Sequence, residues 1–363
     1  MIIYRAFNRE AARNTVAITL VLAIIMAFVG LTVLLGRAVR GDIAEDIVLQ
    51  ILGLETLRRL DLLLTLGFYL GVLMTAARWY RDSEMTVLGA CGIGLAQLLR
   101  PALILTVVIG GAISALGFYF TPWSLTQMEH IKNERQRQAQ PMGVAAGVFN
   151  EATNGRIFYA ERVNREAGTL GYVFASGLEK GKEGVVVARA GYPHTDERTG
   201  DHFLALVDGN LYEGAPGDAG YRIVRFETLH VRLEPKSFID PPPKVDGTST
   251  RALLTRSDPE ARAEWHWRIS KPLTASVLVL FALVLAHTDP RRGRLSNLFG
   301  AILVYVIYSN LLALAQTLLK KGYVPPAAGL WWVHALMLLI AIYLFSRRAA
   351  NRPLFTRLSW GRE

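Results

Sequence analysis

The stretch RDSEMTVLGACGIG, residues Arg81–Gly94, lies between two long apolar runs and nevertheless has the spacing of a helix. Read as a helix that begins at Asp82, it places four side chains on one face: Glu84, Val87, Leu88 and Cys91. A plain loop between two membrane spans needs no such i, i+3, i+4, i+7 pattern. The stretch therefore predicts a short amphipathic helix, at about residues 82–94, with one acid inside its apolar stripe.

Six uncharged apolar runs give the chain its hydrophobic character. Of its 363 residues, 52% are hydrophobic, which is more than an ordinary soluble protein carries. The runs are Thr15–Leu35, Leu62–Ala77, Pro101–Trp123, Pro272–Thr288, Leu295–Leu319 and Gly322–Ser346. A membrane helix needs about 20 predominantly apolar residues, and about 17 suffice. The sequence therefore predicts six transmembrane helices, three on each side of a long polar segment.

The net charge of +10 is better explained by membrane topology than by nucleic-acid binding. Arginines concentrate in the N-terminal tail, in the loops after the second and fourth runs, and in the C-terminal tail. Fewer cations lie in the two short loops on the other side: Arg37, Arg40, Arg58, Arg59, Lys320 and Lys321. The positive-inside rule then places both termini and the quoted stretch in the cytoplasm.

The polar segment between the third and fourth runs has the pattern of an antiparallel β domain on the outer side. Strand-like runs such as RIFYAERV (Arg156–Val163) and GVVVARA (Gly184–Ala190) recur at a spacing typical of a sandwich or jelly roll. Asp208-Gly209 has the residue types of a hairpin turn. We expect spans 1–3 with the cytoplasmic helix in residues 1–126, the β domain in 127–250, and a linker, spans 4–6 and the tail in 251–363.

Sequence motifs for catalysis or nucleotide binding are missing. The chain has no G-x-x-x-x-G-K-[ST] loop, no H-E-x-x-H and no G-x-S-x-G, and its single cysteine excludes an intramolecular disulfide. Asp61, at the edge of the second run, is interpreted as a helix-end acid in the membrane interface rather than as part of a proton relay. We therefore predict no cofactor and no metal, and expect any energy for transport to come from a partner.

Two interpretations remain for the helix at 82–94. It can dock its apolar face into a groove on a cytoplasmic motor, where Glu84 would meet a cation of that partner. It can instead lie on the inner leaflet, but that leaflet is anionic and favours basic helices. Docking is the favoured interpretation.

Several segments resemble the LptF/LptG family of lipopolysaccharide-export permeases, which are membrane subunits of an ABC transporter. The resemblance covers essentially the whole chain. Its most specific matches are SEMTVLGACG in the quoted stretch and HWR within AEWHWRISKPL, and it includes GVFNEATNGRIFYAERV and DPRRGRLSNLFGAILVYVIYSNLL. The opening MIIYR and the FNEATNGR stretch are more similar to F-type than to G-type members.

The resemblance implies a six-span inner-membrane protein with a periplasmic β-jellyroll between spans 3 and 4. It also implies four protein partners: a G-type permease subunit, a dimeric cytoplasmic ABC ATPase, a single-span LptC-type protein with its own jellyroll, and a periplasmic bridge protein. The substrate would be lipopolysaccharide, extracted from the inner membrane, and Glu84 matches the family's acidic residue on the ATPase-coupling helix.

Lipopolysaccharide carries phosphates, for which outer-side cations are suitable ligands. The candidates are Arg37, Arg40, Lys320 and Lys321. Interfacial snorkelling would explain the same residues without any ligand. Other functions also stay open: the G-type paralogue, a mechanotransmission permease for another lipid or lipoprotein, and an intramembrane lipid-modifying enzyme. The last would need a cluster of acids or histidines near one membrane face, which the sequence does not suggest.

Overall fold

A computed structural model of the chain describes residues 2–40, 45–138, 149–151, 157–164, 168–179, 182–195, 202–214, 222–232, 245–287 and 294–350, together with residues 43, 147 and 220. These residues form two compact units. The first, called the helical unit here, comprises Met1–Leu34, Leu49–Met128 and Pro243–Glu363; the second comprises Leu35–Val48 and Glu129–Pro242 and contains the β-sheet.

The described helices are α1 (Ile2–Val39), α2 (Val48–Arg81), α3 (Glu84–Ala90), α4 (Leu95–Ala115), α5 (Thr121–Gln138), α6 (Thr250–Thr255), α7 (Pro259–Leu285), α8 (Arg294–Lys320) and α9 (Trp331–Ala349). A π-helical segment, Leu116–Phe120, joins α4 to α5 without a break. Short 3₁₀ turns precede α2 at Glu45–Ile47 and α6 at Val245–Gly247.

Six helical segments of the described chain are long and apolar enough to cross a membrane, and the strands lie between the third and the fourth of them. The predicted class, a membrane protein of six spans with an inserted β domain, is confirmed. The start of the sixth span was wrong. Gly322–Leu330 is apolar but not helical, because Gly322 (φ 75°) and Gly329 (φ 37°) turn the backbone, and α9 begins only at Trp331.

The helical unit is organised around α7, which packs against α4, α8 and α9. Asp258 caps its N-terminus by accepting a hydrogen bond from the Ala261 N–H at 3.1 Å, and Pro259 occupies the first turn, where no backbone donor is needed. The hydrogen bond from Arg256 holds the pKa of Asp258 below its usual range, so this cap stays ionised at neutral pH. Asp258 and Pro259 therefore start the helix of the fourth span well before the uncharged run Pro272–Thr288.

Two glycines bring α1 and α2 into close contact. Gly67 and Gly71 lie one turn apart on α2 and face Thr19 and Thr15 of α1. A Cβ atom on Gly71 would lie 2.7 Å from the backbone nitrogen of Thr15, a distance that real side chains do not adopt. Such small-xxx-small surfaces allow membrane helices to approach closely, because hydrophobic burial alone does not favour helix contact in lipid.

The β domain contains one six-stranded antiparallel sheet. Its strands are β1 (Asn150–Glu151), β2 (Ile157–Asn164), β3 (Thr169–Glu179), β4 (Lys182–Thr195), β5 (His202–Glu213) and β6 (Arg222–Arg232). Each strand pairs with the next one along the chain, so the described sheet is an up-and-down meander. The predicted inserted domain is thus present as an antiparallel sheet in sequence order, since short links between long strands favour pairing of sequence neighbours, and the jelly-roll arrangement stays a prediction.

The predicted hairpin at Asp208-Gly209 was wrong, because β5 continues through both residues. Asp208 has φ 53°, which an aspartate tolerates, and Gly209 is required by close packing. A Cβ on Gly209 would lie 2.5 Å from both the Phe226 ring and the Val187 carbonyl oxygen of the neighbouring strands. The turn-type residues Asp208 and Gly209 therefore produce a distortion within β5 and do not form a hairpin turn.

That distortion extends across the sheet. The register pairs pass over one residue in each of five strands at the same level: Glu161, Tyr172, Arg189, Asp208 and Glu227. We call these residues the polar row. In each strand the core-facing positions change between even and odd residue numbers at this row. In β5, Leu204 and Leu206 face the core before the row and Gly209 faces it after the row. One face of the sheet therefore stays apolar on both sides of the row.

Candidate functional site

The helix predicted at 82–94 is α3, and its bounds follow from two left-handed residues. Ser83 has φ 59°, which interrupts the helical path from α2, so α3 begins at Glu84 rather than at Asp82. At the other end Gly92 has φ 82°, and the Ile93 N–H donates to the Leu88 carbonyl at 2.8 Å. This is a Schellman-type C-cap. The glycine-rich GACGIG thus ends a helix.

The predicted apolar stripe is divided between two environments. Met85, which lies outside the stripe, is buried and belongs to the same core cluster as Trp79, and Leu88 packs against that cluster. Val87 is 63% exposed and Cys91 is exposed. Leu88 is partly buried against the spans, because the helix is only seven residues long and uses Met85 and Leu88 to attach to them, and the docking face of Glu84, Val87, Leu88 and Cys91 stays a prediction.

Glu84 is half-buried, and it belongs to a network centred on Arg78 near the end of α2. The Arg78 guanidinium donates to both carboxylate oxygens of Glu10 on α1, at 2.5 and 2.7 Å, and Trp79 donates to Glu10 at 3.1 Å. The other side of the guanidinium is 3.3 Å from Asp82 and 3.4 Å from Glu84. The network links α3 to the first two helices.

The charges of this network do not cancel. We define the Arg78 cluster as Glu10, Arg78, Arg81, Asp82 and Glu84; it contains three carboxylates and two guanidinium groups. The bidentate bond engages Arg78 most strongly with Glu10. Glu84 has the longest contact with Arg78, and 43% of its side chain is exposed. The cluster can therefore accept one further cation, at Glu84.

The four outer cations are exposed, but they belong to different units. Arg37 and Arg40 lie at the end of α1 in the unit that contains the sheet, whereas Lys320 ends α8 and Lys321 follows it in the helical unit. Part of the charge pattern that predicted the topology, including Arg291, Arg292 and the arginines of 351–363, lies outside the described residues.

The interfacial placement of Asp61 was wrong. Its side chain is 1% exposed and forms an ion pair with Lys271 of α7, and the Thr121 hydroxyl lies 3.5 Å from the same carboxylate oxygen. Gly117 in the π-helical segment borders the pair, and a Cβ there would be in van der Waals contact with the Lys271 chain at 3.5 Å. A partner 210 residues away in sequence cannot be identified from local pattern, although both charges directly flank uncharged runs.

Comparison with known proteins agrees with this arrangement over almost the whole chain. The family model described as lipopolysaccharide export system permease LptF/LptG matches residues 5–347. The lipopolysaccharide export system permease protein LptF of Escherichia coli K12 is 32% identical over 352 residues, which cover 95% of this chain and 94% of that protein. The LptF protein of Shigella flexneri matches to the same extent. The resemblance seen in the sequence is confirmed: the chain belongs to the LptF/LptG family of permeases, and it is of the LptF type.

Proposed function

We propose that this chain is a transmembrane subunit of an ABC transporter that extracts lipopolysaccharide from the inner membrane and passes it to a periplasmic bridge. The observation that carries the proposal is the similarity to LptF proteins over 95% of the chain. The six membrane helices and the inserted sheet fit that role. The subunit itself would be non-catalytic, and a separate ATPase would supply the energy.

The proposed assembly follows from the family. This chain pairs with a G-type permease subunit above a dimeric cytoplasmic ABC ATPase, and a single-span LptC-type protein and the bridge protein continue the route in the periplasm. Both termini and α3 are cytoplasmic, and the β domain at about 127–250 is periplasmic. Nucleic acid has no place in this assembly. The arginines of the N-terminal and C-terminal sequences support this orientation.

The contact with the ATPase is proposed to lie on α3. Met85 and Leu88 attach the helix to the spans, which leaves Val87 and Cys91 exposed and the half-buried Glu84 accessible to a partner. The unbalanced Arg78 cluster favours a cationic side chain opposite Glu84. A charge pair closed at an interface would be desolvated and therefore stronger than the exposed contact that Glu84 makes with Arg78.

The outer cations are proposed to bind the phosphates of lipopolysaccharide. All four are exposed, and two of them, Lys320 and Lys321, are followed by a turn that leaves their side chains at the end of a span. Charge-assisted hydrogen bonds from such groups to phosphate are favourable, and guanidinium groups can bind two oxygens at once.

Substitution of Glu84 in the complete transporter tests the ATPase contact. Glu84→Ala leaves a partner cation unpaired, which costs about 2–5 kcal/mol at an interface, and Glu84→Lys adds repulsion. We expect loss of the ATPase during purification, or ATP hydrolysis without lipopolysaccharide release. Charge reversal of the facing ATPase cation should restore part of the function to Glu84→Lys.

Asp82→Asn is the matched control, because Asp82 contacts the same arginine and has a similar exposed fraction, 41%. It should retain the ATPase. Normal retention and transport by Glu84→Lys would instead show that α3 does not dock through this residue, and would favour its location on the inner leaflet. Copurification of a different lipid, or of a lipoprotein, with a wild-type complex would support the mechanotransmission alternative.

A further inference from the structure

Arg268 of α7 is the arginine of the HWR motif, and its side chain is completely buried, with 0% exposure. Its position, four residues after Glu264 and three before Lys271, puts all three on one face of the helix. Arg268 takes part neither in the proposed contact of α3 with an ATPase nor in the proposed binding of phosphates by the outer cations. A buried arginine is costly unless every donor is engaged, so its contacts define what it does.

The guanidinium of Arg268 has four acceptors. Its Nε donates to Glu264 at 3.0 Å, and one terminal nitrogen donates to the Thr250 hydroxyl at 2.8 Å. The other terminal nitrogen donates to the backbone carbonyls of Asp246 and Thr248, both at 2.9 Å. We call Arg268, Glu264, Thr250 and the two carbonyls the Arg268 clasp. It recognises the backbone of the segment at 245–250.

The clasped segment is also attached to the end of the third span. Thr250 donates to the Phe118 carbonyl of the π-helical segment at 2.6 Å. The Thr126 hydroxyl of α5 donates to the Pro122 carbonyl of its own helix at 2.9 Å and lies 3.3 Å from the Gly247 carbonyl. A π-helical segment has irregular backbone hydrogen bonding, and the Thr250 hydroxyl satisfies one of its carbonyls. The contacts therefore join three pieces of chain: the end of the third span, the segment at 245–250 and the fourth span.

The path of the chain gives these contacts their significance. The chain leaves the helical unit after Met128 and returns to it at Pro243, and everything in between belongs to the unit that contains the sheet. Thr126 lies two residues before the exit, and the clasped segment begins two residues after the return. The departing and the returning chain are therefore held together at one place within the helical unit.

We propose that the Arg268 clasp is the fixed joint through which movement of the spans reaches the inserted β domain. Arg268 is a positioning residue in this scheme, and the inference rests on the function proposed above. A planar guanidinium with divergent donors can hold two carbonyls, a hydroxyl and a carboxylate in one geometry, whereas an ammonium group cannot. With the joint intact, the chain that leaves the third span and the chain that enters the fourth move as one body; without it, the two move separately.

The first test replaces Arg268 in the complete transporter in membranes. Loss of one charge-assisted hydrogen bond changes the equilibrium between the closed and the open joint by about tenfold. Arg268→Gln should therefore lower the amount of lipopolysaccharide released per ATP hydrolysed by about tenfold or more. Retention of the ATPase and the rate of ATP hydrolysis should stay within about twofold of wild type, since α3 is unchanged. Arg268→Lys should recover only part of the release. Equal release by Arg268→Gln and wild type would refute the proposal.

The second test replaces the clasp by a covalent bond. A Cβ on Gly247 would lie 3.5 Å from the Cβ of Leu125, which is within the range of disulfides. Leu125→Cys with Gly247→Cys should therefore form a bond between the departing and the returning chain, to be verified by peptide mass spectrometry because Cys91 is also present. Oxidised, this pair should leave wild-type release unchanged and restore release to Arg268→Gln, and a reductant should reverse the rescue.

The outcomes separate the two proposals. A wild-type complex that hydrolyses ATP without releasing lipopolysaccharide contradicts the proposed function. If wild type releases it, three results contradict the clasp: inhibition of release by the disulfide in an otherwise wild-type chain, no rescue of Arg268→Gln by the disulfide, or failure of the oxidised variant that also carries Arg268→Gln to assemble. The last would show that Arg268 serves folding alone.

Discussion

The buried pair between Asp61 and Lys271 allows a quantitative prediction. Lys271→Met removes the cation and keeps most of its volume, while Asp61 stays 1% exposed. One carboxylate oxygen then keeps the Leu62 N–H at 2.7 Å, but the other keeps only the Thr121 hydroxyl at 3.5 Å. Removal of one partner of a buried pair costs about 3–5 kcal/mol, and we expect Lys271→Met and Asp61→Leu each to lose that much stability.

The double variant, Asp61→Leu with Lys271→Met, should recover most of the loss, because an apolar pair of similar volume replaces a buried ion pair without much cost. The assay is unfolding of the purified chain in mixed micelles of mild detergent and dodecyl sulfate, followed by tryptophan fluorescence. The double-mutant cycle should give a coupling energy above about 2 kcal/mol. Single variants that lose less than about 1 kcal/mol, or losses that simply add in the double variant, would refute a desolvated pair.

Three further predictions concern the helix contact, the cations and ATP. Gly71→Ala should destabilise the contact of α1 with α2 by about 1–3 kcal/mol in the same assay, because its Cβ would meet the Thr15 backbone. Gly53→Ala is the control on the same helix; it has open space around it and should be neutral or stabilising. Charge reversal of all four outer cations, Arg37, Arg40, Lys320 and Lys321, should reduce crosslinking to lipopolysaccharide without preventing assembly; unchanged crosslinking would show that they only anchor the spans. The isolated chain should not hydrolyse ATP, and turnover abolished by a substitution within it would disprove this.

The spans and strands could be predicted because each depends on a local pattern. An apolar run of sufficient length must be helical in lipid, and alternation over short runs indicates strands. The prediction was wrong where composition and backbone geometry differ. Gly322–Leu330 is apolar but turns, and Asp208-Gly209 has turn residues but lies within β5. The packing of neighbouring strands decides the conformation at Gly209, whereas glycines with positive φ turn the backbone at Gly322 and Gly329.

The candidate sites were predictable only in part. Periodicity located α3 and its acid, but it could not show that Met85 and Leu88 face the spans or that Arg78 already contacts Glu84. The pair of Asp61 with Lys271 and the contacts of Arg268 with residues 246–250 depend on the arrangement of helices in space. The HWR match marked Arg268 as distinctive in sequence, and only the folded chain shows the carbonyls that it holds.

The polar row also constrains how the β domain can change during evolution. Deletion of Asp208 alone would give β5 a plain alternation, but β4 and β6 would keep their extra residue at this level, so the pairs on one side of the row would be displaced by one residue from their register. A residue at this level can therefore be gained or lost only if all five strands change together. Among related chains, insertions and deletions should accumulate in the connections between strands and be excluded from the strands themselves, so that the polar row offers a fixed reference for aligning β domains whose sequences have otherwise diverged.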